Sequence, residues 1–300
     1  MSLGNVLVTG GSGFIGSHLV ELALENSRNV TVVDLQPEST PDARHVIVDI
    51  SDRDNLFAKL PETIDTIFHL AARTSVLQSI KDPQGVFNTN VIGTHNILEL
   101  ARASGTRRVL LASTNAVVGN FSGGKITETS PLRPLTPYGS TKAAAEVLSN
   151  AYLSSYGVGA TQLRLTNVYG EGMSKKDSIV PRLMRTALGQ TSFSIYGDGE
   201  QYRDYVYVKD VARAFLDLAI ANYDGPVIIG SGESLTVNFL IEKASLATGV
   251  EIPFDRIAAQ PGEMRGVLVD NSLARSLGIR FEVEMDEGLE RTWLDFKSNR

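Results

Sequence analysis

The 300-residue chain contains no cysteine, and that absence removes disulfides, thiolate metal sites and a cysteine nucleophile together. Its four histidines are scattered at 18, 45, 69 and 95. None has a carboxylate or a second histidine at metal-ligand spacing, so no metal is expected. Positive charge is also short: 28 Lys and Arg against 34 Asp and Glu leave a formal net charge of −6. A nucleic-acid binder needs a basic face to release counterions, so that class is excluded, and any anionic ligand must be met by a local cluster of donors. No apolar run approaches the ~20 residues that span a bilayer. The first residues carry no basic segment followed by an apolar one and run straight into a strand pattern, so the expectation is a soluble, cytoplasmic protein with no membrane partner. Hydrophobic residues make up 42%, enough for a large core in one elaborated domain or two lobes.

What is present is a rhythm. Residues 5–9, 30–35, 45–49, 66–70 and 109–113 are short runs rich in Val, Ile and Leu that do not alternate with polar residues, as in strands buried on both faces. Helical spacing appears between them over 14–26, 53–60, 84–104 and 137–156, and another strand follows at 160–165. This alternation predicts an α/β fold, a doubly wound parallel sheet of Rossmann type with helices on both faces. After Gly170 the rhythm weakens into helices near 179–189, 209–221, 236–248 and 286–298, separated by short strands and Gly-rich turns. The prediction is a smaller α/β C-terminal lobe over the C-terminal edge of the strands. Residues 1–168 then form the dinucleotide-binding domain, part of 204–226 returns to it, and 169–300 mainly build a substrate lobe. The segment 119–137, rich in Gly, Ser, Thr and Pro, is expected to be a loop bordering the site.

The first strand ends in Thr9-Gly10-Gly11-Ser12-Gly13-Phe14-Ile15-Gly16, and a helix follows at once. Gly10 permits a tight turn, Gly13 lets a pyrophosphate approach the backbone, and Gly16 lets the helix pack closely on the strand, with phosphates at the helix N-terminus. Asp34 closes the second strand 18 residues after Gly16. A carboxylate there accepts both ribose hydroxyls of NAD and repels the 2′-phosphate of NADP, and Leu35-Gln36-Pro37 offers no arginine to rescue that phosphate. The expected cofactor is NAD.

Tyr138-Gly139-Ser140-Thr141-Lys142 places a phenol and an ammonium on one helix face. A free tyrosine has a pKa near ~10. A neighbouring lysine and a positive nicotinamide ring favour its phenolate and make it a usable base. Pro137 suits the first helical position with Thr136 as cap. Ser113-Thr114, at the end of the fifth strand, supplies a hydroxyl at the same sheet edge.

With these motifs in place the chain resembles the extended short-chain dehydrogenase/reductase superfamily, and within it the NAD-dependent epimerase/dehydratase family. Besides the Gly-rich turn and Tyr138 to Lys142, the resemblance covers Asp49-Ile50, His69-Leu70-Ala71-Ala72, Asn90, Leu165 to Gly170, Gly197 to Val206 and Gly262-Glu263. It implies that Tyr138 is the base, that Lys142 holds the nicotinamide ribose and lowers the tyrosine pKa, and that Thr114 hydrogen-bonds the reacting sugar hydroxyl. It also implies that Asp49, Ile50, Leu70, Ala71, Ala72 and Asn90 join Gly10, Gly13, Phe14, Ile15, Gly16 and Asp34 around the cofactor. Asn167, Arg203 and Glu263 would meet the substrate; an arginine grips a phosphate bidentately.

Departures narrow the reaction. The family's sugar 4,6-dehydratases carry Thr-Asp-Glu after strand five, where this chain has Thr114-Asn115-Ala116. Without that acid and base, elimination of water is disfavoured. Val118 stands where many relatives have tyrosine, and Val267 where a bulky aromatic in some UDP-glucose epimerases excludes an N-acetyl group; both imply more room at the sugar. Gln260 replaces a phosphate-binding arginine, with Arg265 nearby. The expected activity is a nucleoside-diphosphate-sugar 4-epimerase acting on UDP-hexoses. A nucleotide-sugar reductase or dehydrogenase and a non-catalytic dinucleotide sensor are the alternatives. Asp34 stands against an NADPH-dependent reductase, and the complete Thr114, Tyr138 and Lys142 set stands against a sensor. The 141–156 helix is apolar on more than one side, and the family dimerises through it, so the resemblance also implies a homodimer.

Overall fold

The apolar runs pair side by side as parallel strands. The computed structural model describes residues 3–37, 40–60, 63–121, 124–258 and 266–299. In chain order it begins β1 (Asn5–Thr9), α1 (Phe14–Asn26), β2 (Asn29–Asp34), β3 (Arg44–Ile47), α2 (Arg53–Lys59) and β4 (Thr66–His69). Next come α3 (Val76–Lys81), α4 (Pro83–Phe87), a π-helical turn (Asn88–Ile92), α5 (Gly93–Ser104) and β5 (Arg108–Thr114). A 3₁₀ turn (Asn115–Val117) leads on to α6 (Pro137–Tyr156), β6 (Gly159–Leu165), β7 (Asn167–Tyr169) and α7 (Ile179–Ala187). The remainder is β8 (Ser194–Tyr196), β9 (Tyr202–Tyr207), α8 (Val208–Ala221), β10 (Gly225–Ile229), β11 (Ser234–Thr236), α9 (Val237–Thr248), β12 (Asp255–Ile257), α10 (Ser272–Ser276) and α11 (Met285–Ser298).

Seven strands form one sheet in the order β10-β6-β5-β4-β1-β2-β3, and every neighbouring pair is parallel. It is a Rossmann sheet. The chain winds outward from β1 in one direction and from β4 in the other, so a crevice opens between their C-terminal ends. One face is sealed by α1 and α8 through Leu19, Val20, Ala23, Val211 and Phe215, the other by α2, α5 and α6 through Leu56, Ile97, Leu98 and Tyr152. Burial on both faces explains why these strands read as continuous apolar runs. The segment that leaves for the lobe returns through α8 and lays β10 beside β6, so the sheet gains its seventh strand at 225–229. A separate core around Leu183, Met184, Leu240, Leu289 and Trp293 belongs to the C-terminal segment, and the Phe14 ring of α1 packs against it.

Two helical details differ from expectation. The 84–104 helix is continuous but under-wound by a π turn, with helical backbone at both junctions. Such bulges free a carbonyl for side-chain partners and cluster at functional sites. Gly93, just after it, lies so close to β3's neighbour Ile50 that an added Cβ would sit 2.5 Å from Ile50 Cδ1. The second difference is α3, which the sequence did not announce. Together α3, α4 and α6 leave apolar side chains in water: Leu77 is 67% exposed, Ile80 60% and Val147 57%. Among the described residues no helix is long and apolar enough to cross a membrane, and no three metal-ligating side chains are grouped.

Candidate active site

A cleft of about 820 Å³ follows the C-terminal edge of β1, β2, β4, β5 and β6 and is closed on its far side by residues from β7, α7 and β9. Its floor is built by the Gly-rich turn. Gly10 adopts φ +74°, and an added Cβ would lie 2.6 Å from Ala71 N; at Gly16 it would lie 2.1 Å from Gly10 O. Both glycines are required by the chain's own backbone. Gly13 differs: its φ is −82°, and a Cβ would meet only Gly10 O, at 3.1 Å. The protein alone comes close to tolerating a side chain there, so the bare backbone at 13 is space kept for a ligand. The first turn of α1 has neither a side-chain cap nor an acidic residue, so its N–H groups face the cleft beside Phe14, Ile15 and Gly16. Unpartnered N–H groups at a helix N-terminus suit a pyrophosphate.

Asp34 stands at the end of β2, where its carboxylate accepts the N–H groups of Ser12 and Gln36 (both 3.0 Å). Those bonds tie the acid to the Gly-rich turn and leave lone pairs for ribose hydroxyls. Val48, Asp49 and Ile50 line the same end, and Asp49 is held by Ser51 N–H (2.8 Å) and hydroxyl (2.7 Å). Leu70, Ala71 and Ala72 continue the wall from β4. The donors, the acid at the ribose position and the kept space at Gly13 fit a bound NAD.

Behind this wall runs a buried hydrogen-bonded chain. The Thr94 hydroxyl donates to the Asn90 carbonyl in the π turn (2.6 Å), so it accepts from His69 Nε2 (3.0 Å). His69 Nδ1 is then left to accept the Thr9 hydroxyl proton (2.6 Å), whose oxygen accepts Ala71 N–H (3.2 Å). Burial, with Lys142 nearby, pushes His69 down to about 3, so it stays neutral. Asn90 itself, only 1% exposed, does not line the cleft. Its amide is committed to Arg73 N–H (2.8 Å), Arg73 carbonyl (3.1 Å) and Thr141 Oγ1 (3.0 Å), and Thr141 donates to the Tyr138 carbonyl (2.8 Å). The structure therefore puts Asn90 behind the cofactor wall, bracing the turn that carries Tyr138.

Helix α6 starts as expected, with Thr136 accepting Gly139 N–H (3.2 Å) and Pro137 in the first turn. Tyr138, Lys142 and Thr114 all line the cleft. Lys142 is buried, and its ammonium donates to the Ala112 carbonyl (2.7 Å). Burial brings its pKa down to about 8, opposed by the Glu146 carboxylate one helical turn on. Glu146 is buried as well, paired with Arg164 of β6 (2.8 Å) and accepting the Ser113 hydroxyl (2.5 Å). Of the two neighbouring hydroxyls, Ser113 is thus consumed, and Thr114 is the one that faces Tyr138. Burial in the cleft pushes the Tyr138 phenol up to about 12, against a hydrogen bond with Thr114 that lowers it. The Lys142 ammonium is turned to the Ala112 carbonyl and takes no part in that shift.

Asn167 lines the far wall, its amide donating to the Asp204 carbonyl (2.8 Å). Arg203 does not line the cleft. It shares a face of β9 with Tyr205, which does, and its charge opposes the rise that burial imposes on that phenol, up to about 12. Asp204 is turned inward to Thr166, Ser231 and Gly232, so it is no salt-bridge partner competing for Arg203. Glu263, with Gln260, Gly262 and Arg265, lies outside the described residues. Val118 and Val267 open no room: both are buried together with Val117, Ile126 and Val269. Residues 124–137 fold back so that Ile126 N–H reaches the Leu268 carbonyl (2.8 Å), and its side chain fills that space. Lys176, Ser178, Ile179 and Tyr205 were not anticipated from sequence, although four cations within 175–185 were a signal.

The sequence profile of the NAD dependent epimerase/dehydratase family matches residues 6–229. The chain belongs to this family. It is an NAD-dependent enzyme of the extended short-chain dehydrogenase/reductase type. A putative UDP-glucose 4-epimerase of Methanocaldococcus jannaschii is 34% identical, over 98% of this chain and 99% of that one. A dTDP-glucose 4,6-dehydratase of Mycolicibacterium smegmatis is 30% identical, over 91% of this chain and 87% of its own. In three dimensions the chain is similar to a UDP-N-acetylglucosamine 4-epimerase of Methanobrevibacter ruminantium solved with UDP-N-acetylmuramic acid, with a TM-score of 0.91, 28% identity and full coverage of both chains.

Proposed function

We propose that this chain is a nucleoside-diphosphate-sugar 4-epimerase with tightly held NAD, acting on UDP-glucose and UDP-galactose or on their N-acetylhexosamine forms. One observation carries the choice over dehydration. Thr114, Tyr138 and Lys142 meet in a cleft whose acidic lining residues, among those described, are Asp34 and Asp49 at the adenosine end. Among the described residues no carboxyl lines the cleft by Tyr138 to remove a C5 proton or to protonate a departing hydroxyl, and elimination needs both.

NAD, when bound, supplies reversible hydride transfer to and from sugar C4. Tyr138 takes the proton of the 4-hydroxyl as that hydride leaves and gives it back on return. Thr114 hydrogen-bonds the same oxygen and orients its proton toward the phenol. Lys142, held by Ala112 and kept charged by Glu146, is placed to grip the nicotinamide ribose. Burial raises the phenol's pKa, and a positive pyridinium beside it would favour the phenolate. The wall carrying Asn167 and Tyr205 meets the sugar, with Arg203 and Glu263 reserved for the nucleotide. We further infer that the exposed apolar side chains of α3, α4 and α6 pair in a homodimer, which light scattering would test through Leu77→Glu.

The deciding experiment gives purified protein UDP-galactose and UDP-N-acetylgalactosamine separately, without added cofactor, and follows products by proton NMR. Conversion to the gluco isomers is expected. No conversion of either, even after NAD is added, would overturn the epimerase reading.

A further inference from the structure

We propose that Lys176 binds a diphosphate inside the cleft, either that of the cofactor or that of the nucleotide sugar. The proposal rests on the reading of the cleft as a nucleotide-sugar site, and it adds a phosphate-binding residue.

Among the described residues three cationic side chains line the cleft: Arg73, Lys142 and Lys176. Arg73 is paired with Asp82 (2.6 Å), and Lys142 donates to Ala112 and faces Glu146. Lys176 has no such partner among the described residues. The carboxylate beside it in sequence, Asp177, is taken by Arg182 (2.8 Å) and Arg185 (3.7 Å). Residues 174–185 carry four cations and that single acid, in a protein whose net charge is −6. The positive charge is thus local, and Lys176 brings it to the cleft. A locally positive cleft concentrates anions.

The lysine is also held in position. Residues 170–178 leave β7 and cross the start of α1, where His18 Nε2 donates to the Glu171 carbonyl (3.0 Å). From the other side Arg185 Nη1 donates to the carbonyls of Ser174 (2.8 Å) and Lys176 (3.0 Å). Pinned at both ends, the segment keeps Lys176 on the same cleft as the N–H groups of the α1 first turn. As a residue Lys176 stands at the rim, yet its ammonium is shielded enough that burial holds it below the usual lysine range. An anion on the cleft side restores the missing counter-charge. Lys175, one position away, does not line the cleft.

The experiment compares wild type with Lys176→Met, Lys176→Arg and Lys175→Met. Two quantities are read: NAD released per chain on denaturation, with its dissociation constant after stripping, and UDP affinity by calorimetry. A charge-assisted contact to phosphate predicts that Lys176→Met weakens one of the two by about ten- to a hundredfold. Loss of NAD identifies the cofactor's diphosphate, and loss of UDP affinity the substrate's. Lys176→Arg retains binding within a few-fold, and Lys175→Met matches wild type. Equal NAD and UDP binding by Lys176→Met and wild type would overturn the proposal while leaving the proposed function intact. A wild type that binds neither would overturn both.

Discussion

One wall of the cleft is made of strand ends and the other of a short edge strand and a loop, and the two differ in how fully their polar groups are committed. On the sheet side Thr9, His69, Thr94, Asn90 and Thr141 form a closed chain of hydrogen bonds, while Ser113, Glu146 and Arg164 form a buried cluster. Nothing in it is left to choose. On the lobe side Asn167 and Tyr205 come from a three-stranded sheet of short strands, and Lys176 from a pinned loop. Groups that must meet the same cofactor atoms in each cycle are best made rigid, whereas groups that read a substrate can be fewer and less interlocked. In the proposed function the chemistry lies on the first wall and recognition on the second.

The largest expected effect breaks that chemistry alone. Tyr138→Phe should lower kcat by about a hundred- to ten-thousandfold while bound NAD per chain is unchanged, because the phenol proton, not the ring, is lost. In the wild type, the rate of the NAD-loaded enzyme should rise with pH as the phenol ionises, and a steady-state profile checks this.

Next, Arg164→Met removes one partner of a buried pair whose side chains are almost inaccessible. Leaving Glu146 uncompensated should cost about 3–5 kcal/mol in urea unfolding. A comparable change on the other wall, Arg182→Met, breaks only an exposed pair with Asp177 and should cost within about 1 kcal/mol. Equal costs would erase the contrast between the walls.

Acid separates them further. His69 has its folded pKa depressed from 6.5 to about 3, so the unfolded chain binds the extra proton in that window. Its contribution is complete above pH 6.5 and drains away as pH falls toward 3, by up to about 1.4 kcal/mol per pH unit. His69→Gln should flatten that part of the stability curve, measured by denaturant titrations at several pH values.

The smallest effect on folding is the most informative about the ligand. Gly13→Ala should shift stability by no more than about 1 kcal/mol, at a φ any residue adopts, yet reduce NAD retention. Gly16→Ala meets Gly10 O and should destabilise the fold as well. If the two variants behave alike in thermal unfolding, the space at Gly13 is not kept for a ligand.

Much of the first wall was legible in the chain because its signals are local. A Gly-rich turn between strand and helix, an acid at the next strand end and a Tyr-Lys pair one helical turn apart each depend on neighbours within a few residues. Adjacent short strands then had one plausible arrangement, a parallel sheet with its crevice at the C-terminal edge. Pairings across sequence were not legible. Glu146 meets residues 18 and 33 positions away, Asn90 in the π turn meets Thr141 51 positions on, and β10 returns more than sixty residues after β6. Val118 and Val267 look like vacated space until Ile126 folds over them. Sequence alone determined the fold class and the cofactor and nominated the residues proposed to carry the chemistry, because short-range sterics and hydrogen bonding specify their motifs. Only the tertiary structure decided which hydroxyl stays available, what the buried acid serves and which cleft cation meets no acid among the described residues, because these depend on the distances between groups that folding brings together.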